Sequence, residues 1–423
     1  MKSNWKKLSF LGISALSLVA LAACGGGSDN GTGSTDAASG GDDGGDKTLN
    51  VSVGLDYVDY VNEVKTAFEE EHGVSIEVVE KDMFEQSDAM PLDGPAGLGP
   101  DVTMTPFDRV GQGGAQGYYA EMTLPDDGRF TEIDQRQVTS EGTVYGQPAM
   151  VEALVLFYNK DLISEAPTTF AELEALGQDS AYDVDGGNVG FLAKWTDFYF
   201  TYGLLAGYGG YVFGENGTDP SDVGLNNAGA VEGIAYATEW FQNVWPQGML
   251  DVTANSNLIT DYFTSGQTAA VIDGPWNAGN FREAGLDLGV AKIPTLNNGE
   301  EYATFGGGKA WVVSNFSTEK ELAQEFVDFL TTEANQDKLY EMRNDVPANS
   351  LSQAKIVDSD DEVSAAVIEQ YQVSEPMPNI PQMAEVWDGG QNMLFDAGSG
   401  NMTPQEAADN AVNTINESIE TKY

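Results

Sequence analysis

The sequence predicts an α/β fold organised around a parallel sheet, and three patterns near the start of its ordered part predict it. Leu49, Val51 and Val53 alternate with Asn50 and Ser52, as a strand requires. Val61, Val64, Ala67 and Phe68 then share one helical face, which Gly73 closes. Ile76 and Val78 alternate again, and strand, helix, strand at this spacing brings the second strand back parallel to the first.

Val102 to Met104, following Gly99, Pro100 and Asp101, supply a third strand. Asp56 and Asp108 come directly after the first and third strands. They therefore belong at the carboxyl edge of the sheet, where open α/β sheets hold ligands. Towards the C-terminus, Thr318 to Glu321 and Thr403 to Glu406 both have the capping-box pattern, the second with Pro404 at the first helical position. Leu322, Phe326, Phe329 and Leu330 give the first of these helices a packing face. Ala408, Ala411, Val412, Ile415 and Ile419 do the same for the second.

The N-terminal segment is of another kind. Lys2, Lys6 and Lys7 precede an apolar run from Leu8 to Leu21, too short for a usual membrane span, and Leu21, Ala22, Ala23 and Cys24 read as a lipobox. Residues 1–23 are thus expected to be a cleaved lipoprotein signal peptide, with Cys24 lipidated at a membrane surface. Cys24 is the only cysteine, so no intramolecular disulfide can form. Residues 24–47 are almost wholly Gly, Ser, Asp, Asn, Thr and Ala, a tether that cannot bury enough apolar surface to order itself. As a Gly-rich coil it reaches on the order of 25 Å.

The body that follows is long enough for two or more domains, and a hydrophobic fraction of 41% supports sizeable cores. The chain carries a formal charge of −48; without the three leader lysines, 16 basic face 67 acidic side chains, or −51. Such a charge opposes nucleic acid and anionic ligands as partners and favours solubility. His72 is the only histidine, which excludes His/Cys zinc clusters and Ser/His or Cys/His catalysis; no catalytic residue, metal or cofactor is expected. Beside Gly73 at a helix end, His72 suits the helix dipole. Gly306 to Gly308 precede Lys309 without Walker spacing or a following helix, and read as close packing or a hinge.

Aromatic residues interleaved with carboxylates are plentiful: Trp195, Asp197, Tyr199 and Tyr202, then Trp276, then Trp387 and Asp388. A sugar ring needs this mixture, because its hydroxyls hydrogen-bond to charged groups while its C–H faces pack on aromatic rings. The same composition also suits an ordinary core, and Trp195 is assigned to packing.

From about Lys47 to its end the chain resembles the maltose and maltodextrin-binding proteins that feed ABC importers. The strongest segment runs from Val151, Glu152, Ala153 and Leu154 to Tyr158, Asn159, Lys160, Asp161 and Leu162. Others are Asp108 with Arg109, Gly209 to Tyr211, Val223 to Gly229, Gly274 to Trp276, and Met377 to Met383 leading to Trp387, all in family order. The resemblance implies two α/β lobes of the periplasmic-binding-protein kind, joined by a hinge, with ligand in the cleft and lobe closure as the signal. Lobe one is placed at 48–151 plus 297–345, and lobe two at 152–296 plus 346–420.

Carried over residue by residue, the resemblance makes Asp56, Asp108, Arg109 and Glu152 polar contacts to sugar hydroxyls. It makes Tyr199, Trp276 and Trp387 aromatic platforms, with Met377 close to the last, and sets Asp197 where the family has a longer carboxylate. Three positions depart: Tyr57 stands where the pattern puts a lysine, Thr105 replaces a tryptophan, and Ser256 falls near a family tyrosine. The implied function is non-enzymatic binding of maltose or maltodextrin and delivery to the membrane permease subunits of an ABC importer, from the outer face of the cell membrane, with a Gram-positive surface favoured. A different α-glucoside or a cyclodextrin would keep the fold and change the ligand. A glycoside hydrolase would need two carboxylates flanking the sugar at a set separation, and an adhesive surface protein would respond to no small ligand.

Overall fold

The computed structural model describes residues 47–357 and 359–423. The signal peptide, Cys24 and the tether as far as residue 46 lie outside the described residues. β1 (Thr48–Val53), α1 (Leu55–His72), β2 (Ser75–Glu80) and β3 (Val102–Pro106) form as the sequence predicts, with two helices that it did not indicate, α2 (Met83–Asp93) before β3 and α3 (Phe107–Ala115) after it. Both β2 and β3 pair parallel with β1. Leu49, Val51 and Val53 are buried against Tyr60, Val61, Val64 and Phe68 of α1. The helix stops at Gly73, whose φ of 65° is a left-handed value that glycine adopts without strain. His72 stacks on Phe68, with ring centroids 4.0 Å apart, and lies 3.5 Å from a Glu325 carboxylate oxygen.

β4 (Gln147–Glu152) leads through Ala153 and Leu154, both fully buried, into a second sheet. That sheet contains β5 (Val155–Asn159), β6 (Phe191–Ala193), β7 (Ala270–Asp273) and β8 (Leu288–Ala291), in the order β6-β7-β5-β8. The chain then returns to the first sheet as β9 (Phe305–Val313). β9 runs antiparallel to β3 along one edge and antiparallel to β4 along the other, so it closes the first sheet. The parallel arrangement read from the sequence holds for β1 to β3, and elsewhere in this sheet only the two residues Glu375–Pro376 pair parallel, with the start of β9. In the second sheet β5 is antiparallel to both its neighbours, and only β6 and β7 run parallel. Short connections such as Ala153–Leu154 carry the chain between sheets, so the strands they join need not be wound by crossover helices.

α4 (Phe198–Gly207) touches β9, and Trp195 just before it is fully buried, its indole N–H donating to Tyr302 Oη at 3.1 Å. α5 (Lys320–Leu330) and α6 (Glu333–Arg343) cover the first sheet, with Leu322, Phe326, Leu330 and Leu339 in its core. The capping box expected from Thr318 to Glu321 does not form. Glu319 is the N-cap and makes no side-chain bond; the Ser317 hydroxyl accepts from its N–H at 3.1 Å and donates to Asp101 at 2.6 Å, which ties the turn to β3 instead. After Asn344, a left-handed residue with φ 57°, the chain runs beside β4: Val151 N–H donates to Val346 C=O at 2.9 Å. It then enters α7 (Glu362–Tyr371), which packs on β8, followed by α8 (Val386–Gly398) and α9 (Pro404–Lys422). Here the predicted capping box is present, Thr403 and Glu406 bonding reciprocally with Pro404 in the first turn. No helix among the described residues is long and apolar enough to cross a membrane.

Candidate functional site

Where the carboxyl ends of β1, β4 and β7 face one another, a cavity of about 780 Å³ opens, walled from both sheets. From the side of the first sheet come Asp56 and Tyr57 in the opening turn of α1, Glu152 at the end of β4, Lys309 in β9, Arg343 at the end of α6 and Asp345 just after it. From the second come the turn Pro275–Asn277 that follows β7, carrying Trp276, and the start of α7. Trp276 is 51% exposed, unusual for so large an apolar ring, and it stands at the cavity. Apolar surface on one side and charged hydrogen-bonding groups on the other suit a polar ligand with apolar faces.

The charged groups are interlocked. Lys309, 9% exposed, pairs with the Glu152 carboxylate. The Arg343 guanidinium lies 5.3 Å from the centre of the Tyr57 ring and 3.6 Å from Asp56. Burial, with the charges of Asp345 and Glu152, pushes the Tyr57 phenol well above its usual range, so it remains a hydrogen-bond donor. Burial also raises the Asp345 carboxyl, while Lys309 and Arg343 pull it back.

Asp56, Glu152 and Trp276, among the nine ligand-contact candidates, line this cavity. Tyr199, in the first turn of α4, stands beside it with its ring 6.5 Å from Trp276 and 6.1 Å from Phe305. Its hydroxyl faces Gly307 of β9 so closely that a Cβ there would lie 2.7 Å away. Burial raises the Tyr199 phenol, helped by the charges of Glu152, Asp108 and Asp197. Asp108, in the first turn of α3, is itself raised by burial and partly restored by Arg109. Arg109 turns to its own lobe, bonding Asp88 at 2.8 Å and lying 4.8 Å over the Phe84 ring. Asp197 caps α4, accepting from Tyr199 N–H at 3.0 Å, and pairs with Lys194 at 2.9 Å. Trp387, on α8, is half-buried edge-on to Phe305 and Phe198, and Met377 is buried. Phe305 thus joins Tyr199 and Trp387 into one aromatic wall, which meets the charged bank where Tyr199 and Glu152 both approach Gly307.

Of the three departures, Tyr57 is surrounded by Arg343 and Asp345, residues the sequence reading did not single out. Thr105 is fully buried, its hydroxyl 3.2 Å from that of Ser87. Ser256 lines a smaller cavity of about 240 Å³ that shares Trp276 and also contains Asp273. Lys309 was within reach of sequence reasoning: it follows a run of three glycines, a run that lets the strand backbone approach its neighbours closely. Arg343 and Asp345 gave no such signal, because a charged helix end ordinarily faces water. No group of His, Cys, Asp and Glu that could hold a metal ion exists among the described residues.

Asp273 ends β7 at 7% exposure, accepting from Gly274 N–H at 2.7 Å and Asn277 Nδ2 at 2.8 Å, and burial pushes its pKa up to about 6. Since the unfolded value is 3.8, the folded chain alone holds this proton between there and about 6. The stabilisation from that proton is complete below the window and lost as pH rises through it. Comparing unfolding free energies at about pH 4 and about pH 7, Asp273→Asn is expected to gain on the unaltered chain by up to roughly 3 kcal/mol at the higher pH.

Residues 63–368 match the family model of the bacterial extracellular solute-binding proteins. The chain belongs to that family. Among solute-binding proteins, the maltodextrin-binding protein MdxE of Bacillus subtilis strain 168 is 49% identical over 382 residues, 90% of this chain and 92% of that one. A maltooligosaccharide ABC transporter solute-binding lipoprotein of Streptococcus pneumoniae strain TIGR4 is 45% identical over 422 residues, 99% of this chain and 98% of its own. The crystal structure of the maltose-binding periplasmic protein MalE from Listeria monocytogenes, in complex with maltose, superimposes with a TM-score of 0.86 at 55% identity, covering 89% of this chain and 99% of that one. The two-lobe α/β fold of a solute-binding protein, with a ligand cleft between lobes, is thereby that of this chain.

Proposed function

We propose that this solute-binding protein captures maltose and maltodextrins in the cavity between its lobes and delivers them to the permease subunits of an ABC importer, without chemistry of its own. The observation that carries the reading is Trp276: a half-exposed indole held by a short turn at the mouth of a cavity whose opposite bank is charged and hydrogen-bonding. An α-glucan chain presents alternating apolar faces and hydroxyl edges, which such a pair of banks reads together. The names of the relatives direct the choice among sugars towards α-linked glucans.

In this reading Asp56, Glu152, Asp108 and Arg109 take hydroxyls, Tyr199, Trp276 and Trp387 take ring faces beside Met377, and Asp197 holds the α4 terminus against the ligand. Lobe one comprises 48–151 plus 297–345 and lobe two 152–296 plus 346–420. Cys24 carries the lipid that holds the protein at the outer face of the cell membrane, in a Gram-positive setting. Catalysis is not part of the role in this reading: Glu152 is engaged by Lys309 and Asp56 faces Arg343.

Tryptophan fluorescence of the body from residue 47 onward, titrated with maltose, maltotriose, longer maltodextrins and unrelated sugars, tests this. Saturable change with α-glucans alone is expected, and Trp276→Ala should weaken it by about 10- to 100-fold, the equivalent of roughly 1.5–3 kcal/mol of buried aromatic contact. A response confined to another sugar would remove the maltodextrin assignment, and release of glucose from maltotriose would remove the non-enzymatic one.

A further inference from the structure

The charged bank of the cavity contains an unfinished hydrogen-bond pair. Arg343 Nε and Asp345 Oδ2 are both buried, and neither has a hydrogen-bond partner among the described residues. They lie 3.7 Å apart, close enough to attract but beyond the roughly 3.2 Å at which an N–H···O bond still forms. Both residues line the cavity. Buried polar atoms are seldom left so, because each keeps the cost of its lost hydration.

The gap is held open from all sides. The guanidinium is fixed over the Tyr57 ring at 5.3 Å and beside Asp56 at 3.6 Å. Between the two residues, Asn344 adopts a left-handed conformation with φ 57° and ψ 18°, its N–H donating to Tyr340 C=O at 2.8 Å as it caps α6. A left-handed residue at that point turns the chain sharply, so that Arg343 and Asp345, adjacent to it on either side, both reach the cavity. Lys309 adds positive charge beside Asp345.

What completes such a pair must accept from an N–H and donate to a carboxylate through one atom. A hydroxyl group does both; an ammonium, a carboxylate or an alkyl group cannot. We propose that Arg343 and Asp345 together read a single hydroxyl of the bound sugar, whose oxygen accepts from Arg343 Nε while its proton is donated to Asp345 Oδ2. The inference rests on the carbohydrate reading above and adds to it two specificity-determining residues that the family resemblance did not supply. Because both orphan atoms are satisfied at once, a sugar lacking that hydroxyl leaves both unpaired, and discrimination is steeper than one hydrogen bond would give.

The test uses the full chain, titrated by calorimetry with maltotriose and with analogues in which each hydroxyl in turn is replaced by hydrogen. The unaltered protein, Asp345→Ala, Arg343→Ala and Arg343→Met are compared, and ligand-free melting checks that each variant is folded. One position is expected to matter: its deoxy analogue binds the unaltered protein on the order of 10- to 100-fold more weakly, yet costs the variants less than about threefold, because a partner of that hydroxyl is already gone. The remaining positions should cost the same in all four proteins. A permanent water in the gap, or a purely structural ion pair, gives the opposite result, an analogue profile unchanged by the substitutions, and overturns the inference while leaving maltotriose binding intact. Absence of any α-glucan binding by the unaltered chain would instead overturn the functional reading, and this inference with it.

Discussion

Replacing Gly308 with alanine is expected to destabilise the folded chain by at least about 3 kcal/mol, read as a fall in the urea midpoint. Two independent costs act at this position. Its φ of 145° lies in a region that side-chain-bearing residues rarely enter. A Cβ built there also runs into the Met150 carbonyl oxygen and the Phe107 ring, one a backbone atom and the other a fully buried ring that cannot yield cheaply. Gly299, whose φ is 86° but which has nothing within 4 Å of a built Cβ, isolates the conformational cost. Gly299→Ala should lose only about 1 kcal/mol, and the difference between the two variants measures the close packing of β9 against β4 and α3.

The second large effect is expected at Glu152. Lys309, only 9% exposed, has this carboxylate as its ion-pair partner. Glu152→Ala strands a mostly buried ammonium, at a cost of about 3–5 kcal/mol. Most of that cost belongs to the stranded charge rather than to the lost attraction. Lys309→Met should therefore be milder, and the double variant Glu152→Ala/Lys309→Met should recover much of the loss of the first. Chemical denaturation of the four proteins provides the cycle. If Glu152→Ala lost less than about 1 kcal/mol, the ammonium would have to find water or another carboxylate, of which Asp345 is the nearest candidate in charge terms.

What the sequence could and could not disclose follows the range of the interactions concerned. β1, α1, β2 and β3 were legible because alternation, a helical stripe and Gly73 are local signals, each written in consecutive residues. The antiparallel seating of β9 was not, since its partners are β3 and β4, far earlier in the chain, and nothing in Phe305–Val313 states the direction of either neighbour. The Thr318 to Glu321 cap misled for a similar reason. Ser317 had a distant competitor for its hydroxyl in Asp101, and that tertiary bond set where α5 begins. At the site, Asp56 could be placed by its position after a strand and Trp276 by its turn, whereas Glu152 came with the resemblance, which also supplied the roles of all three. Arg343 and Asp345 were invisible, because only the fold reveals that the end of α6 points into a cavity rather than into water.

The return of the chain as β9 also sets an order of assembly. The second sheet is drawn from one unbroken stretch, Val155 to Ala291, and has all its strands once that stretch exists. The first sheet has gathered β1 to β4 by Glu152, yet β3 and β4 have no hydrogen bonds to each other; the strand that joins them arrives only with Phe305–Val313. A chain emerging from its N-terminus therefore has the beginning of the first sheet first, the strands of the second sheet next, and the strand that joins β3 to β4 only after them. Lys309 comes with that joining strand, and Arg343 and Asp345 follow it, so the charged bank of the cavity cannot exist before the strands of the second sheet have been made.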